Sequence, residues 1–407
     1  MKIKLPHIEK HQQDVFDRIK HARGTGETFV IKSPRQSGKT YTLKYILLYY
    51  ALQYPKSKSA LISPVGYQTR RVQRELYKDL SKTNLLESSN LSDGYIIFKN
   101  GSEIHFKSAE QGENLRGLTV SGILILDEAA FITDEVYEIC MPFCNVFRAP
   151  KLLVSSPLFK SGFFYEEFSD ILNTVFDWSR DKYDLSMFLS EEDMERYKKK
   201  YTKQKYLTEI MGEFVEAWSD VFGDFKKRIA IPTDMTPVAG GLDWGAGTDN
   251  DETCLTLLNE DRQIVYRWTA SDMDPTAQVQ VLASIINSFP TLRALYIEKN
   301  SIGNVYLSML KKAVRNTSIL HVFDTTNENK REMIENLIVA FEQGTIGIDD
   351  DPILHAQLAG FQVKKIKKGY TYGNDKDSTH DDRILSLAFA YSMFTQQSTV
   401  SIGFSKK

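Results

Sequence analysis

Cysteine is scarce in this sequence, and its scarcity is the first constraint. Three occur in 407 residues, Cys140, Cys144 and Cys254, with neither a pairing framework nor zinc-ligand spacing. That argues against a disulfide-stapled secreted domain and for a reducing cytosol, with all three read as packing residues. Long apolar runs are also missing. The stretch "YILLYYAL" at 45–52 falls short of the ~20 residues a membrane span needs, and no apolar signal core opens the chain, so a cytoplasmic protein off the membrane is expected. Nor is there an excess of one charge: 51 Lys and Arg stand against 53 Asp and Glu, a net −2. Any surface for an acidic polymer must therefore be a local patch.

The chain is longer than one hydrophobic core usually serves, since cores stop growing near about 250–300 residues, so two domains are expected. Its 42% hydrophobic and 26% charged residues are those of an ordinary globular protein. The first half alternates helical patterns with short apolar runs, "TFVIKS" at 28–33, "SALISP" at 59–64, "GILILDE" at 122–128 and "KLLVSSP" at 151–157. Continuous apolar runs spaced by helices predict the buried strands of a parallel α/β sheet. Two further runs flank Asn100-Gly101, a strong hairpin signal, and predict an antiparallel insert at 95–108. From 171 to 230 the pattern turns charged and helical, which predicts a small helical subdomain and linker. New strands begin with "VAGGLDWG" at 238–245 and continue through "CLTLLN", "QIVYRWTA" and "ALYIEKN". The expected organisation is 1–170, 171–230, 231–394 and a polar, mobile tail at 395–407.

The segment Ser33-Pro34-Arg35-Gln36-Ser37-Gly38-Lys39-Thr40 follows an apolar strand and precedes a helical run, as a phosphate-binding loop must. Backbone N–H groups of the loop and helix start can cradle phosphates, Lys39 can reach the terminal ones and Thr40 can hold Mg²⁺. Ser33 stands where the usual pattern has its first glycine. The apolar strand "ILILDEAAF" then ends in two carboxylates, which are costly there without partners. Asp127 suits the magnesium shell and Glu128 can polarise the attacking water. ATP hydrolysis is the predicted chemistry. A further strand ends in Ser155 and Ser156, hydroxyls placed to sense a terminal phosphate and couple its loss to neighbouring structure, or else a plain turn.

The second half carries acids in three separate segments. Asp243 lies in a strand beside glycines, Glu298 ends a second strand, and Asp381 and Asp382 open an apolar helix. Carboxylates on two strands and a helix form a hard oxygen site for one or two Mg²⁺ or Mn²⁺ ions, which would activate water and stabilise the leaving oxygen in phosphodiester cleavage. The arrangement is ribonuclease-H-like. His380 either assists there or is structural.

Taken in order, "RQSGKT", "DEAA", "SSP", "NGSEIHF", Leu115-Arg116-Gly117 and the acids Asp243, Glu298 and His380-Asp381-Asp382 resemble the large terminase subunits of tailed bacteriophages over nearly the whole chain. The helix departs from the family pattern at Leu385-Ser386, where a further Asp is usual, so Asp382 is the favoured metal ligand with Asp381 kept as a ligand or neighbour. The resemblance implies an α/β architecture: an N-terminal P-loop ATPase of the ASCE type with a small helical lid, then a ribonuclease-H-like nuclease. It implies that Gln12 reads adenine, and that ATP and Mg²⁺, with Mn²⁺ possible at the nuclease, are the cofactors. It also implies a homo-oligomeric ring docked on the procapsid portal protein in the host cytoplasm. The ring would drive double-stranded DNA inward and cut concatemers, with a small terminase subunit choosing the start. In a ring an arginine from one subunit can complete its neighbour's ATP site. Arg116 is the first candidate and Arg35 the second, with pairing of Arg116 to Glu110 or Glu113 as the alternative. Lys330, Lys364, Lys365, Lys367 and Lys368 are candidate contacts to DNA phosphate. Competing readings are a helicase-like translocase with an inactive second domain, a nucleotide-binding portal adaptor, and a transposase, which would lack the ATPase half.

Overall fold

The computed structural model describes residues 8–216, 221–245, 252–299, 303–323, 326–366, 369–374 and 380–396. The chain divides into two compact units, with the main boundary between residues 217 and 218.

In the first unit the apolar runs form β1 (Thr28–Lys32), β2 (Lys58–Ser63), β6 (Leu124–Asp127) and β7 (Lys151–Ser155). With β3 (Leu86–Asn90), β4 (Tyr95–Phe98), β5 (Glu103–Ser108) and β8 (Thr174–Asp177) they make one eight-stranded sheet in the order β3-β4-β5-β2-β6-β7-β1-β8. All pairs from β5 to β8 are parallel, and β3, β4 and β5 pair antiparallel. Alternate residues of the central strands feed two cores. Phe29, Ile31, Leu61, Ile125 and Leu152 pack on one face, and Val30, Ala60, Ile62, Leu126 and Leu153 on the other. A strand covered on both faces must be apolar at every position, which is why these runs read as continuous. The Asn100-Gly101 turn joins β4 to β5, with Gly101 at φ +79°. This hairpin is not a separate insert, because β5 pairs in parallel with β2.

Strand order fixes where the chemistry falls. β7 lies between β1 and β6, so its C-terminal end is flanked by the loop leaving β1 and by the acids ending β6. Parallel strands bring all three ends to one edge, the usual ligand edge of such sheets. β8 extends the sheet from within 171–230, and the helix Glu191–Lys200 in that stretch has no buried residue.

In the second unit β9 (Ala239–Asp243), β10 (Thr253–Leu258), β11 (Ile264–Ala270), β12 (Ala294–Glu298) and β13 (Leu320–Phe323) form a sheet in the order β11-β10-β9-β12-β13. β9 is antiparallel to β10 and parallel to β12. β14 (Phe361–Ile366) and β15 (Gly369–Asn374) make a separate two-stranded sheet. One face of the larger sheet packs Leu242, Leu255, Leu257 and Leu295 under the helix Pro275–Ser288. The other lies against the helices Asn327–Gln343 and Asp382–Gln396. Gly241 makes the second contact possible: a Cβ there would stand 2.0 Å from the Ser386 carbonyl oxygen and 2.3 Å from the Ala390 nitrogen. Side chains two apart share a face of a strand, so Asp243 projects toward the helix that begins at Asp382. No described helix is long and apolar enough to cross a membrane. Of the expected tail, Thr395 and Gln396 belong to the last helix, and 397–407 lies outside the described residues.

Candidate functional site

The loop after β1 is built by its own small residues and braced from two sides. Ser33 and Ser37 are buried, their hydroxyls 2.8 Å apart, and both donate to the Pro34 carbonyl. Gly38 sits at φ +81° and launches the helix Lys39–Gln53. Gln36 is also left-handed, at φ 52°. Two closely spaced turns of this hand point backbone N–H groups into one concavity at a helix N-terminus, an anion cradle. Thr40 follows in the first helical turn, half-buried.

Lys39, 8% exposed, donates from Nζ to Ser156 Oγ at 2.8 Å and lies 3.6 Å from Glu128 Oε1. Ser155 Oγ donates to Glu128 Oε2 at 3.4 Å. The loop lysine, the acid after β6 and both hydroxyls after β7 thus meet in one cluster, as the strand order requires. Glu128 is held at φ 51°, a left-handed conformation unfavourable for its residue type, of the kind that concentrates at functional sites. Burial, with the Glu128 charge second, pushes Asp127 up to about 7, while Lys39 and the Glu128 N–H pull the other way. Such a carboxyl needs a cation close by to ionise fully at neutral pH.

Residues from beyond the motif hold the loop. Gln12 Nε2 donates to the Gly38 carbonyl at 3.2 Å while its Oε1 accepts from the Glu9 N–H at 2.9 Å. The amide that the resemblance assigns to adenine here spans the loop's Gly38 carbonyl and the Glu9 N–H. His11 meets the Ser37 carbonyl at 3.0 Å, its ring edge-on to Trp178. On the other side the Arg35 N–H donates to the Glu209 carbonyl at 2.7 Å and its guanidinium pairs with the Glu209 carboxylate at 2.9 Å. Glu209 lies in a π-helical turn, Tyr206–Met211, whose terminal Gly212 packs on Pro34. Sequence reasoning missed Glu209 and His11, which carry no local motif. It also missed Lys32, buried at the end of β1 and paired with Asp177 at 3.0 Å. Arg116 is exposed and its Nη2 donates to Glu113 Oε1 at 3.0 Å, so within one chain the salt-bridge alternative is the contact formed.

In the second unit Asp243 ends β9 and Glu298 ends the neighbouring parallel β12. Asp243 is 4% exposed. Burial raises its carboxyl well above the ordinary range, and Glu298, Asp382 and Asp381 push it further, with a hydrogen bond to Glu298. Three of the four acids expected at one place thus bear on the fourth, Asp243. Asp382 Oδ2 accepts from the Glu252 N–H at 3.0 Å, and Asp381 is paired with Lys330 at 3.3 Å. Lys330 is thus brought to the acids. Among the described residues no three such groups close on one point at metal-ligand spacing. Asn374 Nδ2 donates to the His380 carbonyl at 2.7 Å. Lys364 is half-buried on β14. The Lys365 side chain, Lys367 and Lys368 lie outside the described residues.

A phosphate-loop domain of the ATPase type followed by a ribonuclease-H-like domain is the class these two folds and sites define. Residues 30–227 match the family model for the N-terminal part of the T4-like terminase large subunit, and residues 240–394 match the model for the terminase RNaseH-like domain. The chain belongs to the terminase large-subunit family. The terminase large subunits of Thermus phage G20c and Thermus virus P23-45 are each 23% identical to it over 334 residues, which is 72% of this chain and 65% of theirs. The match thus spans somewhat under two thirds of those relatives. Among solved structures, a large terminase from a thermophilic bacteriophage superposes with a TM-score of 0.64 at 14% identity, over 96% of this chain and all of that one. The complex of that same terminase with ADP gives 0.62 at 15%, over 95% and 100%. At such identities the likeness is one of fold.

Proposed function

We propose that this protein is an ATP-driven motor that moves double-stranded DNA into a procapsid and a metal-dependent endonuclease that cuts concatemeric DNA when packaging starts and ends. One observation carries the reading: a single chain holds two clusters of acids, each at the ends of neighbouring parallel strands, with Asp127 buried in the first and Asp243 and Asp382 in the second. Two family models, in this order, support it, and the thermophilic-phage large terminase of like fold has been solved with ADP and with ATP-γ-S.

At the first site the cradle from Ser33 to Thr40 would take the phosphates of ATP, Thr40 and Asp127 its Mg²⁺, and Gln12 the adenine after leaving its present partners. Glu128 would orient water, and Ser155 and Ser156, bonded to Glu128 and Lys39, would register loss of the terminal phosphate. Arg116, exposed and paired with Glu113, would serve a neighbouring subunit in a ring. Arg35, engaged with Glu209, is the weaker choice.

At the second site Asp243, Glu298 and Asp382 are the carboxylates that would hold Mg²⁺ or Mn²⁺: burial first, and then the neighbouring acids, raise the Asp243 carboxyl, which a divalent cation would relieve. Bound there, the metal would supply an activated water and charge neutralisation at the phosphate. Asp381 stands one step back, held by Lys330, and Lys330 and Lys364 would contact DNA phosphate. The portal protein, a small terminase subunit and further copies of this chain in the host cytoplasm are the partners this function calls for.

The test is cleavage of supercoiled plasmid in Mg²⁺ or Mn²⁺, with ATP hydrolysis measured alongside. Wild type and Lys39→Ala should cut while Asp243→Asn does not, and only Lys39→Ala should lose ATP turnover. A wild type that hydrolyses ATP but cuts in neither metal would favour a translocase with an inactive second domain.

A further inference from the structure

Arg383 follows the acids of the last helix and occupies its first turn, where the helix dipole disfavours a cation. It is 7% exposed. A buried guanidinium in such a place must be held by acids from elsewhere, and two segments supply its partners, the residue before β10 and the helix Pro352–Gly360 with its cap. Its Nε and Nη2 both donate to Glu252 Oε2, at 3.1 and 3.0 Å, and Nη2 also reaches Oε1 at 3.2 Å. Nη1 donates to Asp351 Oδ2 at 2.5 Å, and its backbone N–H donates to Gln357 Oε1 at 3.1 Å. Asp351 in turn caps the helix Pro352–Gly360 and accepts from Arg267 at 2.5 Å.

The Glu252 end of this network touches the nuclease acids. The Glu252 N–H is the donor to Asp382 Oδ2. Residue 252 immediately precedes β10, whose first residues pair with the end of β9 at Asp243, Cys254 being opposite it. A closed circuit results: Asp382 to the Glu252 backbone, the Glu252 side chain to Arg383, and Arg383 by one peptide bond back to Asp382. Such a ring fixes both the rotation of the helix end and the distance from Asp382 to β9. As a stability device it is poor, because burying charges costs about as much as pairing them returns. Geometric constraint is what it offers.

We propose that Arg383 and Glu252 form a clamp that positions Asp382 for the divalent metal of the nuclease. The inference rests on the nuclease reading above. Neither residue touches substrate or reacting atoms; both act through Asp382. Residues that orient metal ligands in this way typically contribute about 10–100-fold in metal affinity or activity. Arg383→Lys keeps the charge but loses the planar fork that holds both Glu252 oxygens. Glu252→Ala removes the acceptor and leaves the backbone donor in place.

Full-length wild type, Arg383→Lys, Glu252→Ala, the double variant and Asp382→Asn are compared by Mn²⁺ binding, followed by loss of the free-ion paramagnetic resonance signal, and by plasmid cleavage across Mn²⁺ concentration. Each clamp variant should raise the Mn²⁺ midpoint in both readouts by about tenfold or more, with the KM for DNA unchanged. The double variant should be no worse than the poorer single one, because either change opens the same circuit. Should Arg383→Lys misfold by circular dichroism, Glu252→Ala and Glu252→Gln decide alone. Clamp variants that bind Mn²⁺ within twofold of a cleaving wild type overturn the proposal and leave the nuclease reading standing. If wild type neither binds Mn²⁺ nor cuts, or if Asp382→Asn binds and cuts like wild type, that reading fails and the clamp falls with it.

Discussion

Gly241→Ala is a one-methyl perturbation that tests how the nuclease acids are brought together. The new Cβ would meet the Ser386 carbonyl oxygen at 2.0 Å, the Ala390 nitrogen at 2.3 Å and Phe389 Cβ at 2.7 Å. Two of the three are helix backbone, which cannot turn aside as a side chain can. The helix Asp382–Gln396 must therefore retreat by about 1 Å for these contacts to reach even the tight end of real packing. Overpacking of this kind costs about 1–3 kcal/mol, and the rigid neighbours place the variant at the upper end. For a domain of this size each kcal/mol moves the melting point by about 2–4 °C, so the second unit should melt about 6–12 °C lower. The same retreat carries Asp382 away from Asp243, and a misplacement of about 1 Å can cost about 100-fold in rate. Calorimetry of the full chain and plasmid cleavage at a temperature where the variant is folded measure the two effects. ATP hydrolysis should be unchanged. A variant melting within 1 °C of wild type and cutting at its rate, roughly the opposite of the overpacking expectation, would refute the close seating of this helix on β9.

Arg116→Ala should leave the melting point of the isolated chain unchanged, as for an exposed surface pair, yet lower ATP turnover of the assembled ring by about 1,000-fold if it completes a neighbour's site. Rings mixed from wild-type and Lys39→Ala/Arg116→Ala subunits distinguish action in trans from action within a chain. At the phosphate loop, Glu209→Ala removes a pair whose arginine is largely exposed, so the KM for ATP should change by less than about fivefold. Gly212→Val should do more harm, because Gly212 lies at φ +79° and its Cβ would stand 2.9 Å from Pro34. Equal effects of the two variants would show that the π-helical turn does not brace the loop. Asp177→Asn tests the buried pair beside the loop. Burial pushes the Asp177 carboxyl up, but hydrogen bonds from Lys182, Ser179 and Lys32 outweigh it and hold the group below its ordinary range. A depressed folded pKa contributes stability that is present at neutral pH and lost as pH falls below the usual carboxylate range. The variant should therefore be less stable near pH 7, by about 3–5 kcal/mol if Lys32 is left uncompensated, with the gap closing in acid melts.

Features that announce themselves over a few residues were legible in the sequence. Strands buried on both faces, β1, β2, β6 and β7, read as unbroken apolar runs, and Asn100-Gly101 read as the turn it makes. The acids at strand ends stood out because carboxylates are costly there. What stayed hidden depends on partners far away in sequence. Thr174–Asp177 is a short, half-buried strand between polar segments, with no periodicity to separate it from the charged stretch around it. β5 was legible as half of a hairpin but not as the parallel neighbour of β2, because pairing with β2 leaves no trace in the turn that joins β5 to β4. Glu209 and His11 brace the phosphate loop from segments far away in sequence, His11 through its ring and Glu209 through both its carbonyl and its carboxylate, and nothing in their own neighbourhoods marks that contact. Arg383 did carry a signal. An arginine in the first turn of an apolar helix opposes the helix dipole, which implies acids held against it from other elements.

The two sites meet one electrostatic problem in different ways, and the difference bears on what each requires to work. Asp127 and Glu128 have a resident cation, Lys39, which also donates to Ser156, so part of their charge is offset by the chain itself. At the second site the nearby cations are spoken for: Lys330 by Asp381, and Arg383 by Glu252 and Asp351. Burial, and then the charges of Glu298, Asp382 and Asp381, push the Asp243 carboxyl well above its ordinary range. If these acids hold a metal as proposed, binding would compete with protonation of Asp243, so affinity should rise with pH. Isothermal titration of Mn²⁺ into the full chain in two buffers of different ionisation enthalpy would count protons released per metal. Release of about one proton or more is expected on this argument, and no release would mean that the Asp243 carboxyl is already ionised before the metal arrives.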